Sequence, residues 1–199
     1  FVKFARFYTP QSFIMKYIFS YQQAHDHFID IELLLENNKN DLIRFQLPAW
    51  RPGRYELGNF AKNIQYWKAF DDKGTALSSR KISKDCWEVQ AAGISTVHVR
   101  YNYYAAVLDA GSCWLDEDQL YVNPVHCCLY VPERLKEACI LELRIPKGYE
   151  VATGMKKQKP HVLSAANFHE LVDSPFVASK SLQHFEYLAR DVKFHIWFQ

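Results

Sequence analysis

The stretch that decides the fold is "TVHVRYNYY", Thr96 to Tyr104. Val97, Val99, Tyr101 and Tyr103 fall on one side, and Thr96, His98, Arg100, Asn102 and Tyr104 on the other. Successive side chains of a pleated strand point to opposite faces, so a period of two marks a strand with one buried and one wet face. The pattern recurs in both directions along the chain. Ile29, Ile31, Leu33 and Leu35 oppose Asp30 and Glu32, while Cys139, Leu141, Leu143 and Ile145 alternate with Ile140, Glu142 and Arg144. These segments are expected to be half-buried antiparallel strands.

Further strands are expected at 13–21, 42–47, 62–70, 86–90, 119–122, 126–131, 182–188 and 192–199, separated by the turn sequences "NNKND", "DDKG", "QAAG" and "IPKG". Helical signals are short. "GNFAKN" offers one turn from Asn59, "PERLKEA" begins with Pro132, and "AANFHELV" offers one turn capped by Asn167. About ten short strands, spaced by roughly 8–12 residues, with one or two helical turns, describe an all-β antiparallel β-sandwich. No repeat, low-complexity stretch or linker divides the chain, so residues 15–199 are read as a single domain. "MKYIFSY" from Met15 reads as a natural start, which sets residues 1–14 apart as a non-native or upstream extension. At the other end, "VKFHIWFQ" places Val192, Phe194, Ile196 and Phe198 on one face and stops within a strand. A longer parent protein is expected.

Composition narrows the function classes. The 199 residues are 49% hydrophobic and 16% aromatic, with a formal net charge of +2. That balance gives no field for nucleic acid, and Lys156, Lys157 and Lys159 read as a solvated loop tip. No apolar run approaches the ~20 residues of a spanning helix, so no membrane partner is expected. Five cysteines, two of them adjacent and none in a C-x-x-C pair, match neither a secreted disulfide framework nor a thiolate zinc site. A reducing, cytoplasmic compartment is expected.

Several stretches resemble chemistry without completing it. "HELVDSP", His169 to Pro175, begins like the H-E-x-x-H zinc motif, but Asp173 stands at the second His position and Pro175 ends any helix. The other histidines show no clustering that would supply a third ligand. His25 and His27 of "HDH" would share one face of a strand, as edge polar residues. There is no nucleophile elbow, glycine-rich phosphate loop or P-loop. The most shaped segment is "LPAWRPGRYELGNFAKNIQYWKAFDDKG", residues 47–74, where Pro48, Pro52 and Gly53 exclude a regular central strand. Arg51 and Arg54 there either lock the turn by satisfying buried carbonyls or face a ligand or another domain.

That segment also resembles the N-terminal domain of the glycyl aminopeptidase family of zinc metallopeptidases. "HDHFIDIELLLE", "VHVRYNYYAAVLDAGSCWLDEDQLYVNP" and "NFHELVDSPF" resemble the same family in the same order, covering roughly residues 17–199. The P-A-W-x-P-G-R-Y and L-V-D-S-P stretches are the most specific of these. The resemblance implies a β-domain that precedes a thermolysin-like catalytic domain in the same polypeptide. Zinc and H-E-x-x-H are expected in that absent domain, which removes N-terminal Gly or Ala from peptides; no cofactor and no catalytic residue are expected in this chain. By the same resemblance, two loops would dock on the catalytic domain or face the peptide substrate. Arg51, Arg54, Tyr55 and Glu56 come from the first, and Tyr104, Asp109, Trp114 and Asp116 from the second. The alternative is a free-standing β-sandwich that binds peptides or glycans through its aromatic loops.

Overall fold

The computed structural model describes residues 15–54, 56–109 and 111–199. In chain order its first eight strands are β1 (Met15–Ser20), β2 (Phe28–Leu35), β3 (Leu42–Gln46), β4 (Ile64–Phe70), β5 (Ser79–Ser83), β6 (Cys86–Gln90), β7 (Val97–Tyr104) and β8 (Trp114–Leu115). The rest are β9 (Gln119–Val122), β10 (Cys139–Leu143), β11 (Glu150–Thr153), β12 (Lys156–Lys159), β13 (Val162–Ala165), β14 (Phe176–Ser179), β15 (Gln183–Ala189) and β16 (Val192–Phe198). One α-helix, α1 (Phe168–Val172), precedes β14, and short 3-10 turns begin at Ala24, Phe60, Pro124 and Pro132.

The all-β sandwich is the observed architecture. A seven-stranded sheet, β12-β13-β10-β1-β2-β7-β4, faces a four-stranded sheet, β11-β14-β9-β8, and a three-stranded sheet, β3-β6-β5. The alternation seen in the sequence aims Met15, Tyr17, Phe19, Ile29, Ile31, Leu33, Val97, Val99, Tyr101 and Tyr103 inward, all buried. The Phe19 ring meets Phe176 edge-on at 5.7 Å, and Trp67 stacks on Trp87 at 5.6 Å, joining the large sheet to both smaller ones. On the outer face, Lys16 and Arg144 reach Glu142, at 2.5 and 2.9 Å, and His98 and Arg100 reach Glu32, at 2.8 and 3.0 Å. Cross-strand pairs of opposite charge suit a wet face.

The strand expectations need five corrections. Sixteen strands, not about ten, lie among the described residues. β5, β8, β11, β12, β13 and β14 were not expected. β1 and β10 pair in parallel, Met15 beside Cys139, within an otherwise antiparallel sheet. The stretch 126–131 is not a strand: a 3-10 turn, Pro124–His126, opens it, and only Tyr130 bridges to Gln46. Its carbonyls are satisfied from the large sheet instead, with the Tyr17 hydroxyl donating to Leu129 O at 2.7 Å and the Tyr101 hydroxyl to Cys127 O at 2.6 Å. Lys156, Lys157 and Lys159 occupy the solvated edge strand β12 and not a loop.

Candidate functional site

The first loop runs from Leu47 to Gly58. Pro48 and Pro52 keep it out of a ladder, and Gly53 turns it with a φ of +84°, a conformation that favours glycine. Backbone bonds close it: Gly58 N–H donates to Ala49 O at 2.7 Å and Arg54 N–H to Arg51 O at 3.3 Å. The second loop continues β7 and returns through β8, with Leu115 N–H donating to Ala105 O at 3.0 Å and Val107 N–H to Cys113 O at 3.3 Å. The two loops touch, because the Arg51 guanidinium lies in the space that a Cβ on Gly111 would fill.

Asp109 accepts the Gly111 N–H at 2.7 Å. That bond, aided by Ser112 and Arg54, holds its carboxyl below the usual carboxylate range. Glu56 is more open, exposed at the loop tip with its carboxylate 3.8 Å from Arg54. Beneath the pair of arginines lies His126, only 6% exposed and stacked on Phe60 at 4.0 Å. Its Nε2 has no hydrogen-bond partner among the described residues. Burial, then the nearby Arg51 cation, push its pKa down to about 4, so the ring is neutral at pH 7.

Tyr104, Trp114 and Asp116 form a separate group around His27. The His27 ring lies 5.2 Å from Trp114 and 6.3 Å from Tyr104, and its Nδ1 is 2.5 Å from Leu115 O. Trp114 Nε1–H donates to Asp116 Oδ2 at 2.7 Å, while Asp116 Oδ1 accepts the N–H groups of Asp118 and Gln119. Burial works to raise the Asp116 pKa, but these donors outweigh it and hold the carboxyl low. Both oxygens are thus engaged in locking the turn. His25 and His27 do not share a strand face, since His25 sits in the 3-10 turn Ala24–Asp26 and His27 takes a left-handed φ of 60°.

Of the residues read from the sequence, Arg51, Arg54, Glu56 and Asp109 come together, and Tyr104, Trp114 and Asp116 stand apart from them; Tyr55 lies outside the described residues. The third component is α1. Asn167 Oδ1 accepts the Glu170 N–H at 3.0 Å, and Glu170 Oε2 accepts the Ala166 N–H at 2.6 Å. Glu170 thus bonds back past the cap residue Asn167, a variant of the reciprocal cap. Phe168 and Leu171 are buried, and Pro175 follows the helix closely.

A groove of about 910 Å³ runs between the first loop and α1. Trp50 and Arg51 line one side, His169 and Asp173 the other, and Tyr130 and Phe168 also line it. The P-A-W-x-P-G-R-Y and L-V-D-S-P stretches, far apart in sequence, thus face each other. The His169 and Asp173 side chains do not make a zinc site: α1 spans only five residues, and no third ligand joins them among the described residues.

Two features escaped the sequence reading. His126 and Phe60 lie on different 3-10 turns, and nothing local pairs them. His184, Glu186 and His195 cluster on the hairpin of β15 and β16, against the expectation that the histidines are scattered. Pairing those two strands through the turn at Arg190 would have placed Glu186 opposite His195.

Residues 16–180 match the family model described as the peptidase M61 N-terminal domain. No curated protein matches the chain. Among solved structures, an aminopeptidase N family protein from Idiomarina loihiensis is 30% identical with a TM-score of 0.84, covering 92% of this chain and 32% of its own. An M1 zinc metallopeptidase variant from Deinococcus radiodurans, bound to a Tyr-Ser-Ala substrate, is 8% identical with a TM-score of 0.48, covering 92% of this chain and 46% of its own. The chain therefore spans about a third of the length of the first of these, and it belongs to the peptidase M61 N-terminal domain family.

Proposed function

We propose that this domain packs against the catalytic part of a zinc aminopeptidase and walls one side of its substrate cleft, using the two loops and the groove beside α1. The observation that carries the reading is the apolar surface on these elements. Trp50 and Leu57 on the first loop are 52% and 75% exposed, and Val107 and Leu108 on the second are 52% and 61% exposed. The β15–β16 hairpin adds Phe185, Tyr187, Val192, Phe194, Ile196 and Phe198 on one face, all exposed. Exposed apolar surface of this kind marks an interaction site. A two-stranded hairpin is marginal without a covering layer, and this one begins beyond residue 180, where the family match ends.

In this reading, zinc and its general base belong to the catalytic part, and the preference is for small N-terminal residues such as Gly and Ala. The five cysteines are free and buried, compatible with a reducing, cytoplasmic setting. This chain's own contribution is to bind and orient. A carboxylate on the cleft wall pairs with the free α-amine of the peptide and sets the distance to the scissile bond. Glu56 is the best placed, because Asp116 is saturated and Asp109 is tied to Gly111. The groove lining of Trp50, Tyr130 and Phe168 also suits a free-standing binding module, but the uncovered hairpin face favours docking.

The test is steady-state kinetics on the full-length peptidase. Glu56→Gln is expected to raise KM by about two- to fivefold, the weight of a solvent-screened ion pair. Unchanged kinetic constants in Glu56→Gln, Asp109→Asn and Asp116→Asn alike would overturn the cleft-wall reading.

A further inference from the structure

The β15–β16 hairpin has a second face. Its register sets Glu186 opposite His195 and His184 opposite Trp197, with His184 and Glu186 two residues apart on the same side. His184 Nε2 lies 3.0 Å from His195 Nδ1 and 3.9 Å from Glu186 Oε1, and His195 Nδ1 lies 3.1 Å from that same oxygen. Three atoms so spaced share a point about 2 Å from each, the length of zinc bonds to imidazole nitrogen and carboxylate oxygen. We propose that His184, Glu186 and His195 bind a divalent first-row transition metal, zinc foremost, on this face of the hairpin.

The surroundings orient two of the three donors. His184 stacks on Trp197 at 4.0 Å, with Lys157 of β12 over the far ring. Lys193 Nζ holds Glu186 Oε2 at 3.0 Å, leaving Oε1 turned toward the imidazoles. Such outer contacts fix ring orientation and the choice of oxygen. Two imidazoles and one carboxylate, without a thiolate, select zinc, nickel or copper(II) over calcium or magnesium, which take oxygen donors. Three protein ligands leave a coordination position open to water or to a group from a covering partner. The Lys193 cation and the exposure of the face make the site weaker than an enclosed four-ligand one. Because His184 and Glu186 lie on one strand and His195 on the other, a bound ion would brace β15 against β16.

Calorimetric titration of the metal-stripped 199-residue protein with zinc chloride tests this. One equivalent is expected to bind, with slower amide exchange over residues 183–198 in its presence. His184→Ala and His195→Ala should each weaken binding at least about tenfold, as loss of one of three ligands requires. His25→Ala, which removes an exposed imidazole elsewhere, should leave the isotherm unchanged. All these side chains are solvent-accessible, and far-UV circular dichroism verifies that each variant is folded. No uptake by the wild-type protein would overturn the proposal and leave a hydrogen-bonded His–His–Glu cluster. Uptake that persists in the His184→Ala/His195→Ala double variant would equally overturn it, by placing the ion elsewhere.

Discussion

The guanidinium of Arg51 rests in the space beside Gly111 that any other residue's Cβ would occupy. The contact ties the loop after β3 to the loop after β7 without a covalent link or a shared sheet. It also separates two glycines that look alike in sequence. At Gly111 the obstacle to a side chain is the end of a flexible arginine, whereas at Gly58 it is the ring of Phe60, stacked on buried His126. Gly58→Ala should therefore cost about 1–3 kcal/mol through overpacking, and Gly111→Ala less than about 1 kcal/mol. Urea unfolding midpoints of the two variants decide this; equal losses would contradict the packing described.

His126 predicts a pH dependence. Its folded pKa, about 4, lies below the ~6.5 of an unfolded chain. Between those values the unfolded state binds more protons, so folding stability rises with pH. The contribution is present above about pH 6.5 and is lost as pH falls toward 4, by roughly 3 kcal/mol at most. His126→Phe, which keeps a ring against Phe60, should flatten this segment of the curve. Denaturant melts at several pH values between 4 and 7.5 provide the check, and parallel curves for the two proteins would refute it.

The cap on α1 makes a smaller prediction. Asn167→Ala removes the acceptor for the Glu170 N–H and should cost about 1 kcal/mol. Glu170→Ala, which frees the Ala166 N–H, should cost less, because that amide is exposed to water. Because α1 lines the groove, both variants should loosen 168–175 in amide exchange while leaving β7 unaffected.

Tyr17→Phe and Tyr101→Phe should each be more costly than their lost hydroxyls suggest. Each leaves a buried carbonyl, of Leu129 or Cys127, without its donor, a penalty of about 1–3 kcal/mol. Melting curves read the effect, and losses near zero would mean that water replaces the hydroxyl.

These two tyrosines also show where the sequence was legible and where it was not. Tyr101 lies at an inward position of a strand whose period of two was plain, so β7, like β2, could be read directly, whereas β1, which holds Tyr17, was expected within 13–21 without that alternation. The apolar run His126–Val131 looks like another strand, but its carbonyls are taken by tyrosine hydroxyls from distant strands, which no local pattern announces. β5 and β12 were invisible for the opposite reason: "SRKIS" and "KKQK" are exposed throughout and carry no alternation. The parallel pairing of β1 with β10 joins residues more than a hundred positions apart. At the site, the prolines and glycines of the first loop marked it as shaped, and the hairpin cluster follows once β15 is paired with β16, while the burial of His126 depends on tertiary placement alone.

The central claim is that the loop faces, the groove and the hairpin are covered by the rest of a longer peptidase. Amide hydrogen exchange, compared between the 199-residue chain and the full-length protein, tests it most directly. Slower exchange in the full-length protein at 47–58, 105–113, 168–175 and 183–198, with the core strands β2 and β7 unchanged, is the predicted result. Identical exchange at all four segments would contradict the account.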